Sequence, residues 1–214
     1  MRILEKIFIR LPLPTYPYEM YMHKYKCLFV HIPKNAGSSI IKTMGHEKGR
    51  SHVQWNHFIE SNSRWFRRYH KFAICREPLD RLLSGYNYII NGGNQSEKDL
   101  ALKKEIETGC NNIDEFIEKC LSYEFMMENI IFAPQYLFVF NDRHECMMDT
   151  ILRFESLSKD WLMLANKHQL PASLKIENVT NNAVRKNKTN PQLKPENILK
   201  VKALYHRDYQ LFDY

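Results

Sequence analysis

Short apolar runs alternate with longer amphipathic stretches along this chain. Runs typical of β-strands occupy residues 26–32, 71–75, 136–140 and 151–154, and two of the four are nearly continuous in apolar residues. Continuous apolar strands are typical of parallel sheets that are covered on both faces. The alternation therefore predicts an α/β fold.

The stretches between these runs carry apolar residues at helical spacing. Helices are predicted at 38–44, 80–90, 113–121 and 158–167, and a last one begins near Pro195, a residue type favoured at the first helical position. The polar stretch 91–100 and the long basic stretch 177–197 predict loops. The length of 214 residues predicts a single domain, 1–214.

The first apolar run leads into a turn of small residues, "HIPKNAGSS" (31–39). If a strand ends and a helix begins there, backbone N–H groups, the hydroxyls of Ser38 and Ser39 and the ammonium of Lys34 converge on one phosphate or sulfate group. The stretch lacks the nucleotide-triphosphatase spacing GxxxxGK[ST], because Lys34 comes early and no glycine precedes it. A tight turn with serine caps is the alternative interpretation.

A second stretch of similar design follows the next strand, "FAICREPLDRLLSGYNY" (72–88). Arg76 ends the strand and Ser84 lies on the first turns of the following helix, so the two can bind a second phosphate. Ligands of open parallel sheets bind beyond the carboxyl ends of the strands, and the two loops are therefore predicted to hold two phosphates of one nucleotide. The alternative is an ion pair of Arg76 with Glu77 or Asp80.

Together these stretches resemble the cytosolic and Golgi sulfotransferases, and most of all the carbohydrate sulfotransferases of the hexuronic-acid 2-O and chondroitin types, whose sequences read like "HIPKTAGTS … VREPLDRLLSGY". The matching residues here are "HIPKNAGSS" (31–39) and "CREPLDRLLSGY" (75–86). The similarity continues through "ILRFESLSKDW" (151–161), "RKNKTN" (185–190) and "LYHRDYQLFDY" (204–214). It therefore covers almost the whole chain in the family's usual order.

The resemblance implies a P-loop-like three-layer sandwich, in which helices flank a central parallel sheet. It implies the donor 3′-phosphoadenosine 5′-phosphosulfate (PAPS), the product adenosine 3′,5′-bisphosphate, and no metal. The 5′-phosphosulfate is then expected on Pro33, Lys34, Asn35, Ala36, Gly37, Ser38 and Ser39. The 3′-phosphate is expected on Arg76 and Ser84, with the basic loop of Arg185, Lys186 and Lys188 closing over the nucleotide.

Sulfuryl transfer from such a donor needs two catalytic groups. Negative charge grows on the phosphate oxygen that leaves the sulfuryl group, and Lys34 is expected to stabilise it. The acceptor hydroxyl must lose a proton, and "SHVQW" (51–55) is similar to the "GHVxYL" stretch that carries the catalytic histidine of the 2-O-sulfotransferases. His52 is therefore expected to be the base. Weaker candidates are His57, His46, Glu47 and Glu60, and a surface or capping role for His52 is the alternative.

The acceptor is expected to be a hydroxyl on a glycan, and an acidic glycan suits the residues available. Arg64 and Arg68 lie among Trp65, Phe66 and Tyr69, which offer cations and aromatic faces for acidic sugars. His57 is a further candidate. Gln135, in "FAPQYLF" (132–138), is expected to face the acceptor or to support the donor. Lipid and small-alcohol acceptors stay open.

A formal net charge of +7 favours an anionic ligand, which leaves two other classes of protein to consider. One is a P-loop nucleotide-dependent kinase, and the early position of Lys34 counts against it. The other is a basic nucleic-acid-binding module, which does not need a lysine and an arginine–serine pair at strand ends. No nucleic-acid partner is therefore expected.

The apolar runs, the first residues and the cysteines of the chain predict its cellular location. No apolar run approaches the roughly 18 to 20 residues that span a bilayer. The first residues are charged and rich in proline, which is poor for a signal peptide. The five cysteines include no CxxC pair, which favours a reduced compartment. We therefore expect a cytoplasmic protein without a membrane span.

Overall fold

The computed structural model describes residues 15–46, 51–174 and 193–214. Their contacts divide the chain into two compact units. One, which we call the sheet unit, contains residues 15–32, 37–46, 51–74 and 137–174, and the other, the helical unit, contains residues 33–36, 75–136 and 193–214. Arg185, Lys186 and Lys188 and most of the predicted loop 177–197 lie outside the described residues. A single domain, 1–214, stays a prediction.

The secondary structure of the described residues alternates strands with helices. The strands are β1 (Cys27–Val30), β2 (His70–Cys75) and β3 (Thr150–Arg153). The α-helices are α1 (Met20–Tyr25), α2 (Gly37–Thr43), α3 (Trp55–Arg68), α4 (Pro78–Ile90), α5 (Glu97–Gly109), α6 (Ile113–Glu115), α7 (Tyr123–Glu128), α8 (Tyr136–Val139), α9 (Leu157–His168), α10 (Pro195–Leu204) and α11 (His206–Leu211). A π-helical turn (Phe116–Cys120) follows α6, and a 3-10 turn (Phe154–Ser156) follows β3.

The three strands form one parallel sheet in the order β1-β2-β3, flanked by helices. Strand β1 pairs with β2 from Cys27 opposite His70 to Val30 opposite Ala73. All of β1 and the last four residues of β2 are buried, as expected for strands that are covered on both faces. Helix α1 packs on β1, and α9 packs on β3. The predicted α/β fold with a central parallel sheet between helices is confirmed.

Three of the predicted strands are observed within two residues of their predicted bounds, but the strand predicted at 136–140 was wrong. Tyr136–Val139 forms α8 instead. The carboxylate of Asp208 accepts the backbone N–H groups of Gln135 and Tyr136, each at 2.8 Å. These bonds satisfy donors at the start of the helix, and they select a helical turn for an apolar run that is too short to distinguish helix from strand by its pattern.

The predicted helices are observed, with two changes. The stretch 113–121 is a short α-helix that continues as a π-helical turn, and the last helix is two, α10 and α11. Helix α3 was not predicted, and its backbone is non-helical at Asn62 (φ −155°, ψ 93°). No helix in the described part of the chain combines the length and the apolar character that crossing a membrane requires.

The helical unit has its own apolar core. Helices α4, α5 and α10 pack against one another or against the π-helical turn. The largest fully buried aromatic side chains of this core are Phe116, Phe132 and Tyr205. The core holds α4 in place, and α4 carries Asp80, Arg81 and Ser84, the polar residues next to the second predicted phosphate site.

Candidate active site

The turn after β1 has a backbone of alternating hand. Lys34 (φ 70°) and Ala36 (φ 59°) are left-handed, whereas Pro33 and Asn35 are not. Such alternation directs successive backbone N–H groups toward one concave side, the arrangement called an anion-binding nest. Each left-handed residue other than glycine costs about 1–2 kcal/mol, so contacts elsewhere must hold the turn. The predicted anion site thus has the backbone form that its chemistry needs.

Two buried arginines of the helical unit hold the carbonyl groups of this turn. The Nε of Arg81 donates to the Pro33 carbonyl at 3.0 Å, and the Nη1 of Arg76 donates to the Lys34 carbonyl at 3.0 Å. The exposed fractions of Arg76 and Arg81 are only 5% and 1%. Charged donors form the stronger class of hydrogen bonds. The turn is therefore anchored before any ligand binds.

Gln135 is the third residue that holds the turn. Its Oε1 accepts from Asn35 Nδ2 at 2.7 Å and from the Arg76 backbone N–H at 3.1 Å, and its Nε2 donates to the Arg76 carbonyl at 2.8 Å. The side chain is fully buried, and both ends of its amide are used inside the helical unit. In the structure Gln135 supports the turn, and a role toward the acceptor or the donor stays a prediction.

Asp208, a residue that no motif singled out, completes this arrangement. Its buried carboxylate accepts the backbone N–H groups of Gln135 and of the next residue. Burial raises the pKa of Asp208 to about 6, although these hydrogen bonds and the charge of Arg81 act in the opposite direction. Burial also lowers the pKa of Arg81. One signal in the sequence was available: Asp208 shares a helical face with Tyr205 and Phe212 and is therefore an acid on an apolar face.

The second predicted phosphate site contains an internal ion pair. Arg76 Nε lies 2.7 Å from Asp80 Oδ2, which confirms the ion pair that was the alternative interpretation of Arg76. The N-terminal cap of α4 is Glu77, whose carboxylate accepts the Asp80 N–H at 2.6 Å. Ser84 lies on the same helix and is partly exposed. Binding of a 3′-phosphate by Arg76 and Ser84 stays a prediction.

The ammonium group of Lys34 lies against an aromatic ring. Its Nζ is 3.8 Å from the ring centroid of Tyr88, a cation–π contact. The Tyr88 hydroxyl donates to Asp99 Oδ2 at 3.0 Å, which fixes the ring. Tyr88 was missed from the sequence, although it lies four residues after Ser84 and thus on the same face of α4.

In the sheet unit, Gly37, the first residue of α2, packs against His31, and His31 also contacts His52, the predicted base. A Cβ atom on Gly37 would lie 1.9 Å from the His31 ring, so only glycine fits. The rings of His31 and His52 are 4.1 Å apart, and His52 Nδ1 lies 3.2 Å from the His31 carbonyl oxygen. A carbonyl only accepts, so this bond requires a proton on Nδ1 and makes Nε2 the basic nitrogen of His52.

The predicted acceptor residues of α3 are on the surface, but their aromatic neighbours are not. His57, Arg64 and Arg68 are exposed. Phe66 and Tyr69 are buried and Trp65 is partly buried. Phe66 and Tyr69 are therefore not available to a sugar, and a contact of Trp65, Arg64 or Arg68 with an acidic sugar stays a prediction.

The weaker candidates for the base make other contacts. His46 Nε2 lies 3.9 Å from Glu19 Oε2, and His57 Nδ1 lies 3.9 Å from Glu60 Oε2. Glu47 lies outside the described residues. Within residues 15–46, 51–174 and 193–214, no three His, Cys, Asp or Glu side chains are grouped so that they could hold a metal ion.

A parallel sheet whose first strand ends in a turn of this backbone form is typical of a P-loop-like α/β protein. A family model described as "Sulfotransferase family" matches residues 19–214, which include both predicted phosphate loops. The chain belongs to the Sulfotransferase family and is a transferase of sulfuryl groups. No curated protein and no solved structure gives a significant match.

Proposed function

We propose that this protein transfers the sulfuryl group of PAPS to a hydroxyl of an acidic carbohydrate. The observation that carries the proposal is the turn of alternating hand at Lys34 and Ala36, in a chain that belongs to the Sulfotransferase family. A concave set of backbone N–H groups suits a phosphosulfate. The fit is supported by Gly37, where any side chain would overlap His31 and crowd the start of α2.

In this proposal residues 33–39 hold the 5′-phosphosulfate. The backbone N–H groups of the turn and the hydroxyls of Ser38 and Ser39 donate to its oxygens. Lys34 stabilises the charge that grows on the phosphate oxygen as the S–O bond breaks. Tyr88 limits the positions of the ammonium through the cation–π contact. A single positioned donor of this kind is worth about 100- to 1,000-fold in rate.

His52 takes the proton of the acceptor hydroxyl through Nε2. Support comes from its contact with His31, because His31 in turn packs against Gly37, the first residue of α2. The hydrogen bond to the His31 carbonyl orients the imidazole and sets its tautomer. A general base in this position contributes about 100- to 10,000-fold.

The 3′-phosphate of the donor is assigned to Arg76 and Ser84, together with Arg185, Lys186 and Lys188. Arg76 has two roles in this assignment. Its guanidinium holds the Lys34 carbonyl, and its positive charge attracts the phosphate. Asp80 orients the guanidinium through the 2.7 Å ion pair.

The acceptor is assigned to the exposed cations of α3. Arg64 and Arg68 are four residues apart and thus lie on one face of the helix, where they can bind carboxylate or sulfate groups of a glycan. His57 is exposed on the preceding part of the same helix. Neutral lipids and small alcohols lack the charges that these side chains would bind.

A transfer assay with sulfur-labelled PAPS tests the proposal against acidic glycans, neutral glycans, glycolipids and small alcohols. We expect label on acidic glycans, and a several-fold higher KM for them in the double variant Arg64→Ala/Arg68→Ala. Arg143→Ala removes an exposed arginine from a different segment and is the control, with unchanged KM. Label on small alcohols alone, or on no acceptor, would contradict the assignment of the acceptor.

A further inference from the structure

Two of the cysteines meet inside the helical unit. The Sγ atoms of Cys110 and Cys120 are 2.8 Å apart. Cys110 follows the last residue of α5 and its N–H donates to the Ile106 carbonyl, while Cys120 ends the π-helical turn. A disulfide has its sulfur atoms about 2.0 Å apart, so a bond between these two needs a movement of less than ~1 Å.

The two thiols differ in their exposure to solvent, and this difference predicts which of them reacts first. The exposed fraction of Cys110 is 4%, whereas Cys120 is partly exposed. Cys110 belongs to the apolar core of the helical unit, and Cys120 packs against that core. A dissolved oxidant therefore reaches Cys120 first.

We propose that Cys110 and Cys120 are a redox modification site at which glutathione disulfide, or another small disulfide, produces a reversible internal disulfide. The Cys120 thiolate attacks one sulfur of the small disulfide, and one glutathione thiolate leaves. The Cys110 thiolate then attacks Cys120 Sγ and releases the second glutathione. Two protein thiols are oxidised to one disulfide, glutathione disulfide is reduced to two glutathione molecules, and the two protons lost by the protein thiols end on the two glutathione thiolates that leave.

The protonation of Cys110 agrees with this order. Burial and the hydrogen bond with Cys120 raise the pKa of Cys110 to about 12, which makes Cys110 a poor first nucleophile. The contribution of the Cys120 thiol to this shift is lost once Cys120 carries glutathione. Burial, the larger cause, remains, and the attack of Cys110 is favoured by the closeness of its target, Cys120 Sγ, at 2.8 Å.

A Cys110–Cys120 disulfide would link the end of α5 to the π-helical turn, and this part of the chain also contacts α10. The Lys200 ammonium donates to the Ile117 carbonyl at 2.7 Å, and Asn197 Nδ2 donates to Asp114 Oδ1 at 2.6 Å. A cross-link between Cys110 and Cys120 restricts the unfolded chain, so the oxidised protein is expected to unfold at a higher temperature than the reduced protein.

The test incubates the full-length reduced chain with glutathione disulfide and then alkylates the remaining thiols under denaturing conditions. Mass spectrometry should show a Cys110–Cys120 cross-linked peptide, with neither alkylation nor glutathione on either of the two residues. Dithiothreitol should restore all five thiols. The Cys146→Ser variant is the control and should still form the cross-link, because Cys146 is exposed and distant in sequence.

Two results would overturn the proposal. One is a stable glutathione adduct on Cys120 with Cys110 still alkylated, which would show that the second step does not occur. The other is reaction of Cys146 alone. Cys120→Ser should abolish the rise in unfolding temperature on oxidation, and this variant tests the pair without altering the buried Cys110.

Discussion

Gly37 packs directly against the ring of His31, and a Cβ atom at position 37 would lie only 1.9 Å from His31 Cδ2 and Nε2. The φ angle of Gly37 is not left-handed, so the requirement for glycine is one of space and not of backbone conformation. His31 also contacts His52, the proposed base. The absence of a side chain at Gly37 therefore makes room for His31, the residue against which the proposed base packs.

Gly37→Ala is expected to displace the His31 ring and to lower stability by about 1–3 kcal/mol, the usual cost of overpacking a core. Binding of adenosine 3′,5′-bisphosphate should weaken as well. Chemical denaturation and calorimetry measure the two effects. Gly109→Ala is the control, since the added Cβ would lie 3.8 Å from Cys120 Sγ, an ordinary van der Waals distance. Equal behaviour of the two variants would contradict the role of the contact, and Gly37→Ala should cost less stability when it is added to His31→Ala than when it is added to the wild type.

Gln135→Leu is expected to remove the side-chain hydrogen bonds by which Gln135 holds the turn after β1. The substitution leaves the buried amide of Asn35 and the backbone groups of Arg76 without their Gln135 partner, a loss of about 1–3 kcal/mol for each buried group left unsatisfied. Denaturant unfolding measures the stability. Gln210→Leu, at an exposed position, is the matched control and should change it by less than about 0.5 kcal/mol. A Gln135→Leu variant as stable as Gln210→Leu would show that the turn is held by other contacts.

The stability of the sheet unit is expected to fall in acid because of a stacked histidine pair. The rings of His70 and His168 lie 3.9 Å apart. Burial lowers the pKa of both, as do the charges of Lys167 and, for His70, Lys71, while Asp149 acts in the opposite direction. A group with a lowered pKa binds fewer protons in the folded state. Its contribution to stability is therefore complete above the unfolded value of 6.5 and is lost as the pH falls below it.

Denaturant unfolding at a series of pH values measures this dependence. We expect the free energy of unfolding to fall below pH ~6.5 in the wild type and to fall less steeply in His168→Gln. His206→Gln removes an exposed histidine and should keep the wild-type slope. Identical slopes in all three proteins would mean that the stacked pair does not control the titration.

Substitution of Lys34 and of His52 should affect different steps of the reaction. Lys34→Ala is expected to weaken donor use and to lower kcat by about 100- to 1,000-fold. His52→Ala should leave donor binding intact and lower kcat by about 100- to 10,000-fold. His57→Ala tests the competing histidine of the same region and should keep most of the rate. If His52→Ala keeps the full rate, the base is a different residue, and the family assignment is unaffected.

The sheet and the two loops could be predicted because their signals are local. Strand β1 and the last four residues of β2 are continuous apolar runs, and the turns that follow these strands carry Lys34 and Arg76 in motifs that are visible in neighbouring residues. The helix at Tyr136–Val139 could not be predicted in this way. It depends on the carboxylate of Asp208, which lies far along the chain.

The side chain that holds the turn after β1 could not be predicted for the same reason. Gln135 and Asn35 are 100 residues apart, and nothing in either segment shows that one amide bonds the other. The motif predicted that Arg76 binds a phosphate, but it did not show that Arg76 also pairs with Asp80 and donates to the Lys34 carbonyl. The burial of two of the aromatic rings at the end of α3 was missed because residue type alone does not show which face of a helix is buried.

Calorimetric titration can determine whether the turns after β1 and β2 bind the two ends of one adenosine nucleotide, as we propose. The wild-type protein should bind adenosine 3′,5′-bisphosphate at micromolar concentration and should not bind ATP in the same range. Arg76→Ala should weaken that binding. Binding of ATP as tight as that of the bisphosphate, or no binding of the bisphosphate, would contradict the claim.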